Sequence, residues 1–223
     1  YIAQIAPHVY TDLQGAQLRE SQAFVAAHTE NCELIVTNDS QEIPGDVHPR
    51  LKKNVCHRFA MCALGQHYGK DVGEWRSPAY SKMIVEGSQL RIRFKNLPTT
   101  LAVKGDRIIG FQIAQMMEDE TLKYYLADAR LDASGKCVIL SSPYVDTPAG
   151  ARYCFDESVG NLFSAEGMPV APFRTDRKNM PMAESARAYI EPASVTPIAF
   201  EGEGYQKAVL ATGTKLWLGS EMV

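Results

Sequence analysis

A change of hydrophobic rhythm near residue 72 constrains this chain more than any other feature. Before it, short apolar runs alternate with helical patterns. After it, apolar and polar residues alternate with period two. One chain therefore has to build two kinds of layer.

In the first part, residues 2–6 read as a strand and 16–28 as a helix with Leu18, Gln22 and Val25 on one stripe. Residues 33–36 read as a second strand, and 37–48 as a polar loop. Pro49 then opens a helix that runs to about Tyr68, with Leu51, Val55, Phe59 and Cys62 at helical spacing. Proline suits a first helical position, where its missing N–H has no partner to lose. Gly69 is placed to end the helix. Strand, helix, strand, loop, helix is the rhythm of a parallel α/β sheet. Two strands alone leave apolar faces uncovered, so a second polypeptide is expected to accompany this chain. Tyr1–Pro7 lacks the basic start and the cleavage site of a signal peptide, and the chain reads as beginning inside a domain.

In the second part, Leu90, Ile92 and Phe94, with Ile84, are expected on a buried face, and Val85, Gly87, Gln89 and Arg91 on the other. Further strands are expected over 107–113, 123–131, 137–140 and 149–155. Turn signals separate them: Lys104-Gly105-Asp106, Ala133-Ser134-Gly135 and Ser142-Pro143. Five short strands at this spacing predict a β-sandwich or jelly roll. Residues 156–182, rich in Pro, Gly, Asn and Met, read as an ordered loop, and 187–218 as two or three more strands. The expected organisation is α/β over 1–72, an antiparallel β-sandwich over 73–177, and a β extension over 178–223.

Composition narrows the function classes. A net charge of −3 with no basic stripe argues against nucleic acid as a partner. No apolar run approaches the roughly 20 residues of a membrane span. The five cysteines, Cys32, Cys56, Cys62, Cys137 and Cys154, show no CxxC spacing and read as buried small hydrophobes, so no thiolate metal site is expected. No cofactor is called for.

The segment that carries chemistry is Ile35-Val36-Thr37-Asn38-Asp39-Ser40-Gln41-Glu42-Ile43-Pro44-Gly45-Asp46-Val47-His48-Pro49. A strand delivers this loop to the carboxyl edge of the sheet, where open α/β folds hold their ligands. Asp46 lies two residues before His48, and a helix follows at once. The positive end of that helix dipole disfavours an imidazolium and keeps a base neutral. A neutral imidazole can take a proton from a serine hydroxyl while a carboxylate on its other nitrogen fixes the tautomer. His8, His28, His57 and His67 lie at a strand end or on helices and read as ordinary surface or capping residues.

Three stretches together resemble the sialate O-acetylesterase family of SGNH-type hydrolases. The first is Tyr1-Ile2-Ala3-Gln4-Ile5-Ala6-Pro7 with Arg19-Glu20-Ser21-Gln22. The second is Asp46-Val47-His48-Pro49 with Lys52, then Arg58-Phe59-Ala60 and Tyr68-Gly69-Lys70. The third, and the most specific, runs through Pro148-Ala149-Gly150-Ala151-Arg152-Tyr153, Asn161-Leu162-Phe163 and Glu166-Gly167-Met168-Pro169 to Pro172-Phe173-Arg174-Thr175-Asp176. The resemblance covers residues 1 to about 176. It implies the C-terminal part of an SGNH-type parallel three-layer domain followed by a jelly-roll-like sandwich.

The same resemblance implies a serine esterase that removes acetyl groups from sugar hydroxyls, typically those of O-acetylated sialic acid. His48 would be the general base and Asp46 its orienting acid, with Asp39 or a backbone carbonyl as alternatives for that second role. It also implies a secreted, periplasmic or lysosomal location. The family's nucleophile sits in a Gly-Gln-Ser-Asn-type block upstream, and no such block occurs here. Ser88 and Ser220 are poor substitutes. The expected partners are therefore an N-terminal portion of the same protein carrying the serine, and the O-acetylated sugar. The competing expectations are a non-catalytic carbohydrate-binding or accessory protein, and a family member that has lost its serine.

Overall fold

The computed structural model describes residues 1–10, 13–40, 48 and 52–176, and the backbone of 217–218 and 221–222. Residues 1–183 form one compact unit and 184–223 a second. In the second unit, β13 (Trp217–Leu218) and β14 (Glu221–Met222) pair antiparallel. The loop expected beyond Asp176, to residue 182, and most of the strands expected over 187–218 lie outside the described residues. No helix among the described residues is long and apolar enough to cross a membrane.

The first unit opens with β1 (Ile2–Ala3) and β2 (Leu34–Ile35), which pair in parallel with Ile2 opposite Leu34. Helix α1 (Gln14–His28) crosses between them, the strand–helix–strand unit expected from the sequence. Its packing differs from expectation. Leu18 is exposed, Gln22 and Val25 are half-buried, and the buried positions are Gly15, Ala16, Arg19, Glu20 and Ala26. An apolar stripe was the wrong thing to look for, because the groups this helix meets are polar and charged.

Helix α2 (Lys52–Cys62) continues into a π-helical turn, Ala63–His67. It stops at Gly69, whose φ of +59° is left-handed backbone that glycine adopts without steric cost. Arg58 and Cys62 are its buried residues, while Val55 and Phe59 are half-buried.

Ten short strands follow up to Asp176. One four-stranded antiparallel sheet runs β3 (Ala79–Glu86), β4 (Gln89–Lys95), β9 (Cys137–Ser141), β8 (Asp128–Leu131). A second runs β12 (Phe173–Arg174), β10 (Pro148–Tyr153), β6 (Phe111–Met116), β7 (Leu122–Leu126). The pair β5 (Leu101–Val103) and β11 (Leu162–Ser164) is separate. Leu90, Ile92, Val138 and Leu140 of the first sheet share one buried cluster with Phe111, Ile113, Ala151 and Tyr153 of the second.

The register of the β3–β4 hairpin corrects two residues: Val85, expected beside Arg91, falls opposite Leu90 and shares its face. The two-residue turn Gly87-Ser88 sets Glu86 opposite Gln89, so Met83 faces Ile92 and Ile84 falls opposite Arg91, on the other side. A register shift between Tyr80 and Lys82 then returns Tyr80 to the core side, opposite Phe94. The expected single strand over 123–131 is two strands. The chain leaves one sheet after Leu126 and joins the other at Asp128, with the Ala127 N–H donating to the Phe111 carbonyl at 3.2 Å. The strand expected from 107 starts only at Phe111, because Gly110 adopts φ +86° and a Cβ there would lie 2.7 Å from the Cys154 sulfur. Three short strands, β5, β11 and β12, had no signal long enough to read.

Candidate functional site

The carboxyl edge of the parallel pair is built by the residues just after each strand. Past β1, the Gln4 N–H donates to the Ile35 carbonyl at 2.9 Å, and its Nε2 donates to the Arg19 carbonyl at 3.2 Å. Past β2, the Thr37 hydroxyl donates to the Gln4 carbonyl at 2.7 Å, and the Ser40 N–H to the Thr37 carbonyl at 2.9 Å. Asn38 ties this edge to the distant third stretch: its Nδ2 donates to the Val170 carbonyl at 3.1 Å, and its own carbonyl accepts the Gly160 N–H at 3.0 Å. A Cβ at Gly160 would lie 2.5 Å from the Tyr153 hydroxyl and 2.6 Å from Asn38 Nδ2, so no larger residue fits there. The side-chain oxygens of Gln4 and Asn38 are buried with no hydrogen-bond partner among the described residues. This edge is close-packed and polar, the kind of frame that holds a functional loop in place.

His48 lies in sequence between that edge and α2. One ion pair joins the segment before it to the helix after it. Arg58 Nη1 and Nη2 meet Asp39 Oδ1 and Oδ2 at 2.8 and 2.6 Å, and Nη1 also donates to the Val36 carbonyl at 2.9 Å. Both side chains are buried, at 6% and 8% exposure. Asp39 is thus committed to Arg58 through both oxygens, which weighs against it as the partner of His48. His48 itself is exposed. Asp46 and residues 41–47, 49, 50 and 51 lie outside the described residues, so the spatial relation between Asp46 and His48 is not described. Ser88 sits exposed in the β3–β4 turn, and Ser220 lies outside the described residues.

The Arg19-Glu20-x-Gln22 stretch works as a three-way fastening. Arg19 is 1% exposed and donates through Nη2 to the Asp156 carbonyl, with the Cys154 carbonyl at 3.5 Å. Burial lowers its pKa, while the Glu157 carboxylate, 3.9 Å away, acts in the opposite sense. Glu20 accepts Arg174 Nε at 3.0 Å and Nη2 at 2.7 Å. Gln22 accepts the Ile5 N–H at 2.9 Å, which steadies the segment after β1. Arg152 in turn meets Asp176 at 2.5 Å and lies 3.8 Å over the Tyr124 ring. Burial raises the pKa of the Tyr124 phenol. The neighbouring Tyr125 points the other way, into the core cluster, as strand alternation requires.

The sequence reading missed Arg58 and Glu20 as ion-pair anchors. No local signal marks them, because Asp39 and Arg174, their partners, lie 19 and 154 residues away.

No protein-family model matches this chain, and no curated protein matches it. Among solved structures, the chain is similar to a carbohydrate acetylesterase from Xanthomonas citri, at 30% identity with a TM-score of 0.67. The match covers 78% of this chain and 40% of that one. The chain thus spans two fifths of the length of the structure it resembles.

Proposed function

We propose that this chain is the His48-bearing part of a carbohydrate O-acetylesterase, the serine being supplied by an N-terminal portion of the same protein. The likeness to the Xanthomonas citri carbohydrate acetylesterase carries this reading. The strand–loop–helix setting of His48, with the Asp39–Arg58 pair at the loop's base, supports it. In this reading residues 1–72 belong to an SGNH-type domain, 73–177 form a sandwich, and 178–223 extend it.

The chemistry follows the serine-hydrolase pattern. The serine Oγ attacks the acetyl carbonyl carbon as His48 takes the hydroxyl proton, giving a tetrahedral oxyanion. Collapse breaks the ester C–O bond, and His48 returns the proton to the departing sugar hydroxyl. Water then attacks the acetyl-serine with His48 again as base, releasing acetate and restoring the serine. Asp46 orients the imidazole. A 9-O-acetylated sialic acid is the substrate the sequence resemblance favours.

The test is to co-express the chain with its upstream segment and follow acetate release from acetylated sugars. His48→Ala should cost roughly 10³-fold or more in turnover without loss of fold, and Asp46→Asn less. Full turnover by His48→Ala would refute the assignment.

A further inference from the structure

The described residues line a cavity beside helix α1. It is a cleft of about 420 Å³ between the last turns of α1, the start of β2 and the ends of β3, β4 and β12. That volume falls within the roughly 300–1,000 Å³ of small-molecule sites. Its lining runs from Glu33, just before β2, to Val36, just after it.

Its walls differ in character. Ala23 and Ala27 of α1 present small apolar surface, and Tyr80 lies across from them. The Tyr80 ring is held by stacking on Phe173, with centroids 4.8 Å apart. Glu33, Lys95 and Asn96 supply the polar side. Among the described residues the Glu33 carboxylate accepts one hydrogen bond, from the Leu34 N–H at 3.2 Å, and makes no ion pair with Lys95. Arg76, whose charge also reaches Glu33, is bound to Glu74 at 2.7 Å. An acid and a base therefore line one cleft without neutralising each other, and both keep hydrogen-bonding capacity for a ligand.

We propose that this cleft binds a neutral sugar ring of an oligosaccharide. The lining carries both signs of charge, Glu33 against Lys95 and the Glu20-paired Arg174, so a charged sugar gains from one group and loses to the other. A neutral polyol can donate to Glu33 and accept from Lys95. The alanine wall takes the C–H face of the ring, as apolar pocket walls do. The ligand class rests on the carbohydrate reading given above, and the site rests on the cleft itself.

The experiment is an amide NMR titration of the full chain with xylohexaose, which has no acetyl group, and in parallel with tetragalacturonate. Saturable shifts are expected at Ala27, Glu33 and Asn96 with xylohexaose, and at least several-fold weaker binding of the acidic sugar. Glu33→Gln or Lys95→Met should weaken xylohexaose binding roughly 5-fold, the loss of about one hydrogen bond. Ala27→Trp, at an exposed helix position, should fill the cleft and abolish binding at unchanged melting temperature. Absent or displaced shifts, equal binding of tetragalacturonate, or binding that survives Ala27→Trp would each overturn the site. Because the probe carries no ester, failure of the cleft and failure of the esterase reading are separable: binding without turnover in the co-expressed protein defeats only the latter, and turnover without binding defeats only the former.

Discussion

Truncating Arg174 tests the idea that two stretches 154 residues apart hold the unit together as one. Its guanidinium is 0% exposed and makes three contacts with Glu20 at 2.7–3.1 Å, over the Phe155 ring at 5.1 Å. Asp176 stands 3.8 Å from Nη1. Removing the cation takes these three hydrogen bonds from the Glu20 carboxylate, which is 9% exposed, and weakens the pairing around Asp176. Breaking a buried pair from one side costs about 3–5 kcal/mol. At about 2–4 °C per kcal/mol for a unit of this size, Arg174→Met should lower the melting temperature by about 10 °C. Calorimetry or a urea titration followed by fluorescence reads this directly. The double variant Glu20→Leu with Arg174→Met should recover much of the loss, since it removes both charges and leaves apolar groups of similar volume. A loss below about 1 kcal/mol would place the pair with exposed ion pairs and refute the reasoning. So would a double variant no better than the single one.

Two further outcomes follow from the described contacts. Arg58→Met should destabilise by about 3 kcal/mol, because it strands buried Asp39 and removes a donor to the Val36 carbonyl. Asp39→Asn with Arg58→Met should be milder than Arg58→Met alone, as read by urea denaturation. Burial pushes the Cys62 thiol up to about 11 and the Cys154 thiol to about 12, from an ordinary 9.0. In the unfolded chain these thiols lose protons first, so the folded state binds more protons above pH 9 and stability falls as pH rises from there. Cys62→Ala should flatten that fall in denaturation curves between pH 8.5 and 10.5. An unchanged slope would contradict it.

Much of this fold was legible because it rests on local patterns. The alternation of Leu90, Ile92 and Phe94 places a strand. Gly69 marks where the second helical run stops. What was not legible depends on partners distant in sequence. The buried face of α1 carries Arg19 and Glu20, and nothing local says that a carbonyl at Asp156 and a guanidinium at Arg174 await them. A helix wheel ranks such residues as solvent-facing. In the same way, β11 and β12 are strands only because Val103 and Arg152 lie alongside them. At the candidate site, the loop and its histidine could be read from residue order, while the commitment of Asp39 to Arg58 could not. That choice is made by a helix lying 19 residues further on.

The positions of these ion pairs bear on how a functional loop is held. Asn38 and Asp39 stand side by side at the end of the segment after β2, yet they face different parts of the molecule. Asn38 is tied to the Gly160 and Val170 backbone, and Asp39 to α2. The loop carrying His48 therefore leaves from a point anchored to both the helical part and the β part of the unit. Glu20 and Arg174 provide a second tie between those parts, from the opposite side of α1's buried row to Arg19. If His48 is the base of an esterase, its placement depends on β-sheet residues far from the reaction as well as on its own loop. Loosening the Asn38 tie should then reduce turnover more than stability. Asn38→Ala removes one hydrogen bond to Val170, worth about 1 kcal/mol. In the co-expressed enzyme its effect on turnover should exceed the roughly 5-fold such an energy represents, with substrate binding little changed. Equal loss in turnover and in stability would mean that Asn38 is a packing residue and nothing more.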